Sequence, residues 1–332
     1  MQHTHPAWQT ALKNSITTID ALLRQLDLYA ADVGMSESAC KSFPLRVPLS
    51  FVQRMKKGNP KDPLLRQVLP LQQELVNTPG YTHDPLGEEA VSKAPGLLHK
   101  YHGRILLTIT GACAINCRYC FRRHFPYSRH GIDSRGWEPA INYIKHNADI
   151  QEVILSGGDP LVAKDSHLAA LVGRLTTIRH IKRLRIHTRL PIVLPERIND
   201  ELLAWLRNTP LDKVMVIHCN HPQEVNNNVG NALRKLRQLP VTILNQAVLL
   251  KGVNDSADTL IDLNNILFKY GVMPYYLSLL DQVAGAAHFN VTQKEAVTIL
   301  QELMQRLPGY LVPKLVKEQQ GATSKIPINI MA

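Results

Sequence analysis

Ile105-Leu106-Leu107-Thr108-Ile109-Thr110-Gly111-Ala112-Cys113-Ala114-Ile115-Asn116-Cys117-Arg118-Tyr119-Cys120 decides how the rest of the chain is read. Its first six residues are apolar or β-branched, the composition of a buried strand. Gly111 punctuates the strand, and three cysteines follow at C-x3-C-x2-C spacing. Three thiolates on one short loop can hold three irons of a [4Fe–4S] cluster, and with the usual fourth cysteine missing one iron stays open to another ligand. His124 lies four residues past Cys120, so on spacing alone a Cys3His zinc site is also allowed.

Beyond the loop, short apolar runs recur at Val153–Ser156, Arg183–His187, Val214–His218, Val241–Val248 and Val272–Leu277. Helix-like stretches separate them, among them His167–Ile178, Asn199–Arg207, Gln223–Leu236 and Leu260–Tyr270. Strand, helix, strand at a repeat of about thirty residues implies right-handed parallel βαβ units. Six units are legible, so the expected fold class is α/β, a partial (β/α)6 barrel.

In such a barrel, chemistry gathers where the strands end. The second strand runs into Ser156-Gly157-Gly158-Asp159, where two glycines let backbone approach a ligand closely because no Cβ intrudes. His187-Thr188-Arg189 and His218-Cys219-Asn220-His221-Pro222 end the third and fourth strands, the fifth carries Asn245-Gln246, and Asp281 follows the sixth. Taken singly, each is as well explained as a satisfied core polar group. As a set they outline a barrel mouth.

Composition narrows the class. The 332 residues, 45% apolar, suffice for a barrel-sized core. No run approaches the length of a membrane span, and no apolar segment follows a basic start at the N-terminus, so a cytoplasmic, membrane-free protein is expected. Five cysteines, an odd number with three inside eight residues, argue for metal over a disulfide framework. Cys40 and Cys219 read as packing residues. The net charge of +11 suits nucleotides, nucleic acid or phosphorylated cofactors without choosing among them.

Three segments are expected. Residues 1–100 form a mainly helical extension, with Trp8, Leu12, Ile16, Ile19, Leu22, Leu23 and Leu26 at helical spacing and prolines thereafter. The barrel occupies 101–290. Residues 291–332 carry one helix, Gln293–Arg306, and a tail punctuated by Pro and Gly.

With these motifs in this order, the chain resembles radical SAM enzymes, whose loops often place an aromatic residue where Tyr119 stands and whose open iron binds S-adenosyl-L-methionine (SAM). Within them it resembles the lysine 2,3-aminomutases from about Tyr101 to Pro327. The likeness rests on Tyr101-His102-Gly103-Arg104, the cysteine loop with Arg122-Arg123, and Ser156-Gly157-Gly158-Asp159. It continues through His218-Cys219-Asn220-His221-Pro222, Val248-Leu249-Leu250-Lys251-Gly252-Val253-Asn254-Asp255 and Pro274-Tyr275-Tyr276. Phe43-Pro44-Leu45-Arg46-Val47-Pro48 and Asp62-Pro63-Leu64, with a chain that stops soon after Lys325 and has no cysteine-rich tail, look like the bacterial branch that supplies β-lysine for elongation factor P.

The resemblance implies cofactors and roles. Cys113, Cys117 and Cys120 would carry a [4Fe–4S] cluster, and Lys325 would hold pyridoxal 5′-phosphate (PLP). It implies SAM or PLP contacts for Lys100, Tyr101 and Arg104; for Ser156, Gly157, Gly158 and Asp159, with the Gly-Gly-acidic turn on the SAM amino group; and for Arg189, His218, Asn220 and Gln246. Lys100 stands where clostridial relatives have an arginine on the PLP phosphate, a task a lysine point charge can serve. Arg122 would take the substrate carboxylate with its guanidinium fork. Asp281 would hold the remote ammonium of lysine, with Glu318 in place of a second family aspartate. The implied activity is an isomerase that shifts an amino group of free lysine from Cα to Cβ, fed by a reducing electron donor and linked to elongation factor P and its lysyl ligase. Homo-oligomerisation is left open.

Other readings stand beside this one. A glutamate aminomutase would want cations at the substrate tail, where Asp281 and Glu318 are anionic. A radical SAM enzyme acting on RNA would suit the basic charge but leaves the Lys325 motif unexplained, and no appended RNA-binding module is visible. A zinc-stabilised binding protein is the reading from outside enzymology.

Overall fold

The structure, a computed structural model, describes residues 6–127 and 136–329. Ten strands form one sheet in chain order. They are β1 (Ser92–Ala94), β2 (Leu97–Tyr101), β3 (Arg104–Thr110), β4 (Glu152–Gly157), β5 (Arg183–Thr188), β6 (Asp212–Ile217), β7 (Val241–Val248), β8 (Met273–Ser278), β9 (Lys314–Lys317) and β10 (Ile326–Pro327). From β3 to β9 every pairing is parallel. The β1–β2 hairpin pairs antiparallel with β3 on one edge, and β10 pairs antiparallel with β9 on the other. Among the described residues the two edges do not pair with each other, so the sheet remains open.

Periodicity predicts six parallel strands; the structure has those six and adds β9. Four residues long, β9 is too short for its apolar pair Leu315-Val316 to register as a run. β1 lies before residue 100 and β2 spans it, and the C-terminal segment supplies β9 and β10, so all three expected segments contribute strands or packing to one sheet. One continuous apolar core runs from Trp8 and Leu22 of the extension through Leu155 and Ile217 of the sheet to Leu315. The three segments therefore pack as one body.

The crossover helices α1 (Glu138–His146), α2 (Asp165–Thr176), α3 (Asp200–Asn208), α4 (Asn227–Arg237) and α5 (Ala257–Lys269) bury one stripe each. In α4 that stripe is Val229, Leu233 and Leu236, spaced four and three residues apart. Side-chain caps start α3, α4 and α5: Asn199, Asn226 and Ser256 accept from the backbone N–H of Leu202, Val229 and Thr259. β4 is buried along its whole length, which is why its centre, Val153-Ile154-Leu155, reads as an apolar run before the turn.

No helix among the described residues is long and apolar enough to cross a membrane.

Candidate active site

Parallel strands put all their carboxyl ends on one rim, and that rim lines a cavity of about 630 Å³. β3 delivers Cys113, Cys117 and Cys120, β8 leads to Asp281, and β9 leads to Glu318 and Lys325; all six line this one cavity. The three thiols and the amine of Lys325, 205 residues or more apart in the chain, thus share one chamber.

The cysteine loop is clamped by the N-terminal extension. Arg118, fully buried, donates from Nε and Nη2 to Glu74 at 2.9 and 2.6 Å and from Nη2 to the Ala39 carbonyl at 3.1 Å. Arg123 donates to the same Glu74 at 2.7 Å. Backbone bonds from Asn116 N–H to Arg46 O and from Arg118 N–H to Gln67 O complete the clamp. Burial, with the neighbouring Cys117, pushes the Cys120 thiol up to about 11, and burial with Cys120 pushes Cys113 well up. Such thiols are poor free nucleophiles and good ligands for a metal that displaces the proton.

Zinc fits this geometry poorly. His124 points away, bonding the Ala284 carbonyl at 3.1 Å and stacking on His83 at 4.3 Å between ring centroids. Among the described residues no three His, Cys, Asp or Glu side chains converge on a single ion-sized point. Three thiols spread along one wall suit a cluster that meets each sulfur at a different iron.

The Gly-Gly turn packs closely against the cysteine loop, and both glycines also line the cavity. A Cβ on Gly157 would sit 2.6 Å from the Thr110 carbonyl oxygen, and one on Gly158 2.3 Å from that of Ala112. What the glycines admit is the cysteine loop itself, bonded through Gly158 N–H to Thr110 O and Asp159 N–H to Ala112 O. Gly157, at φ +119°, also needs glycine's freedom. The Asp159 carboxylate accepts from Thr188 Oγ1 at 2.8 and 2.9 Å, Arg189 N–H at 2.7 Å and Leu161 N–H at 3.1 Å. It is a strut between β4 and β5, and the residue also lines the cavity.

Asn220 lines the cavity too, and its amide donates to Tyr119 and Gln67 and accepts from Val248 N–H, which braces the surrounding loops. Arg189 donates to Cys117 Sγ at 2.7 Å and is held by Gln67 and Glu224 at 2.6 and 3.0 Å. His218 lies 3.4 Å from His187, and burial together with Arg189 and Lys325 lowers it to about 4. It is therefore neutral at pH 7.

At the far side, Glu318 is shared by Lys325 Nζ at 2.6 Å, Lys100 Nζ at 2.7 Å and Tyr101 Oη at 2.8 Å. Burial alone would raise its pKa, but Lys325 and Lys100 outweigh burial and hold it at about 2. Two of its three donors are the lysines that the resemblance assigns to PLP. The Arg104 guanidinium packs on the Tyr101 ring, 4.7 Å from its centroid. Asp281 has no such partner to hold it down. Burial, then the charge of Glu318, push it up to about 7 against the pull of Lys325 and Lys100. Arg122 is buried and paired with Glu88 through Nε and Nη2, both at 2.7 Å.

The cavity fits cofactors that bring polar groups. Gln246 Oε1, Ser278 Oγ and Arg189 Nε are buried with no hydrogen-bond partner among the described residues, and all three residues line it. Gln246 and Arg189 were legible at strand ends. Gln67, Glu74, Glu88 and Glu224 were not: an isolated Glu or Gln in an irregular stretch carries no sign of burial.

An open parallel sheet whose first parallel strand delivers three thiols into a chamber at the strand ends defines a radical SAM enzyme, and the Radical SAM superfamily profile matches residues 107–263. At higher resolution, the L-lysine 2,3-aminomutase of Escherichia coli (strain K12) is 52% identical over 324 residues, 97% of this chain and 94% of that protein. That of Haemophilus influenzae is 49% identical over 318 residues, 96% of this chain and 94% of that protein. That of Clostridium subterminale is 33% identical over 323 residues, 97% of this chain and 77% of that protein. The chain belongs to the lysine 2,3-aminomutase family. Membership makes it an isomerase with a [4Fe–4S] cluster and SAM, and PLP is the further cofactor typical of that enzyme.

Proposed function

We propose that the chain converts (S)-α-lysine to (R)-β-lysine, for later attachment to elongation factor P by a separate ligase. One observation carries the reading: the cluster thiols, Lys325 and two carboxylates share a single cavity. When bound, cluster and SAM supply a 5′-deoxyadenosyl radical, and PLP supplies a π system across which an amino group can pass between adjacent carbons.

The protein's part is placement. Cys113, Cys117 and Cys120 hold three irons. Lys325 holds PLP through Nζ, with Lys100 as the point charge for its phosphate. Gln246 Oε1 and Ser278 Oγ offer polar contacts that nothing among the described residues uses. Asp281 takes the remote ammonium, and its anionic surroundings favour lysine over glutamate. Arg122 takes the substrate carboxylate. The Tyr275–Tyr276 pair, 3.7 Å between ring centroids, walls the chamber beside Lys325 and excludes water. The assignment to elongation factor P is supported by the likeness of residues 43–48 and 62–64 to that bacterial branch.

The test is anaerobic reconstitution with iron, sulfide and PLP, then incubation with SAM, reductant and lysine, with products resolved by chiral chromatography. (R)-β-lysine is expected. Unchanged lysine, in a protein shown to carry cluster and PLP, would refute the proposal.

A further inference from the structure

Arg122, the receptor for the substrate carboxylate in the reading above, comes already occupied. Nε and Nη2 donate to the two oxygens of Glu88, and Nη1 donates to Ser156 Oγ at 3.0 Å and Gly157 O at 3.3 Å. A guanidinium has five N–H donors. Among the described residues four are spent, and one, on Nη2, is left.

Glu88 is not a passing neighbour. Its side chain is 9% exposed and that of Arg122 is 7% exposed. Its backbone N–H donates to Asp84 Oδ1 at 3.0 Å. The segment that carries it is tied to the loop after β8, with Thr82 N–H bonded to Gln282 O and Ala284 N–H to Thr82 O. Burial works against the Arg122 charge, and Glu88 more than offsets it. Swinging Glu88 aside would strand a buried carboxylate, a cost of several kcal/mol that one substrate contact does not repay.

We propose that Glu88 is a positioning residue for substrate binding. It stays in place, cancels the charge of Arg122 and fixes the guanidinium so that one N–H of Nη2 meets the substrate carboxylate. Recognition of that carboxylate is then a single directed hydrogen bond, not a fork-to-fork ion pair. The inference rests on Arg122 as the carboxylate receptor.

The experiment is equilibrium binding to the reconstituted holoenzyme, anaerobic and without reductant so that nothing turns over. The ligands are lysine and 1,5-diaminopentane, which is lysine without its carboxylate. Glu88→Gln should weaken lysine about tenfold or more and leave the diamine unchanged, the loss expected when a charge-assisted contact is misaimed. Glu88→Asp keeps the buried charge pair but shortens the side chain by one methylene, so it tests the same geometry if the Gln variant does not fold; a several-fold loss confined to lysine is expected. Arg122→Lys should also lose lysine selectively. If Arg122→Lys does so while both Glu88 variants bind lysine as tightly as the parent or tighter, the role of Glu88 is overturned and that of Arg122 stands. If no variant changes the ratio of lysine to diamine, Arg122 is not the receptor and both fall.

Discussion

Replacing Asp281 by asparagine should abolish a pH dependence that the fold builds into lysine binding. An ordinary aspartate titrates near 4 and is fully ionised throughout the neutral range. Burial in the cavity wall and the charge of Glu318 raise Asp281 to about 7. Only the ionised form pairs with an ammonium, so affinity falls as pH drops through about 7 and levels off above it. With that midpoint, Asp281 is about ten-elevenths ionised at pH 8 and about one-eleventh at pH 6, so lysine binds about tenfold more weakly at pH 6 from this group alone. The assay is anaerobic calorimetry of lysine binding at pH 6, 7 and 8 to the protein without PLP, where the Lys325 amine is free beside Asp281. Running each pH in two buffers of different ionisation heat measures the protons released as Asp281 ionises. Asp281→Asn should bind about 10- to 100-fold more weakly at pH 8, the loss of one charge-assisted contact. Titration of the ligand's own amines is common to both proteins and cancels in their ratio. A ratio of parent to variant affinity that is the same at pH 6 and pH 8 would refute the reasoning, because Asp281 would then not be the group that titrates against the ammonium.

Glu74→Gln leaves Arg118 and Arg123 buried without a counter-charge. The cost should be about 3–5 kcal/mol, read as a lowered unfolding midpoint in denaturant together with poor iron retention. Gly158→Ala drives a Cβ to 2.3 Å from the Ala112 carbonyl oxygen, so the cysteine loop must lift; iron content after reconstitution should drop sharply, and a full complement would contradict the account of that turn. Cys117→Ala should lose the brown absorbance of the cluster. Lys325→Ala should lose the absorbance of protein-bound PLP and all mutase activity, while a variant that keeps either would place PLP elsewhere.

The parallel strands and the cysteine loop could be read directly because each is local, whereas Lys325, one lysine in a basic chain, stood out only through the family resemblance. A buried strand needs only a run of apolar and β-branched residues, and a ligand set on one loop needs only its spacing. The polar ends of β4 to β8 were visible for the same reason, once strand order fixed which end was which. Four-residue β9 escaped because it offers too little pattern.

The ion pairs that hold the site together escaped for a different reason. Glu88 meets Arg122 from 34 residues away, Glu74 meets Arg118 from 44, and Glu318 meets Lys100 from 218. Within a linear chain a glutamate bound for the interior is indistinguishable from one bathed in solvent. Folding alone removes the water and brings up the partner, and the Coulomb interaction that then sets charge state depends on both. That is why Asp159, legible as an acidic residue after two glycines, turned out to be a strut, and why Asp281 titrates near neutrality while Glu318, in the same chamber, stays ionised. Residue types and their order along the strands were enough to identify the chemistry; which of those charges remain free to meet a substrate is a property of distances in the packed molecule.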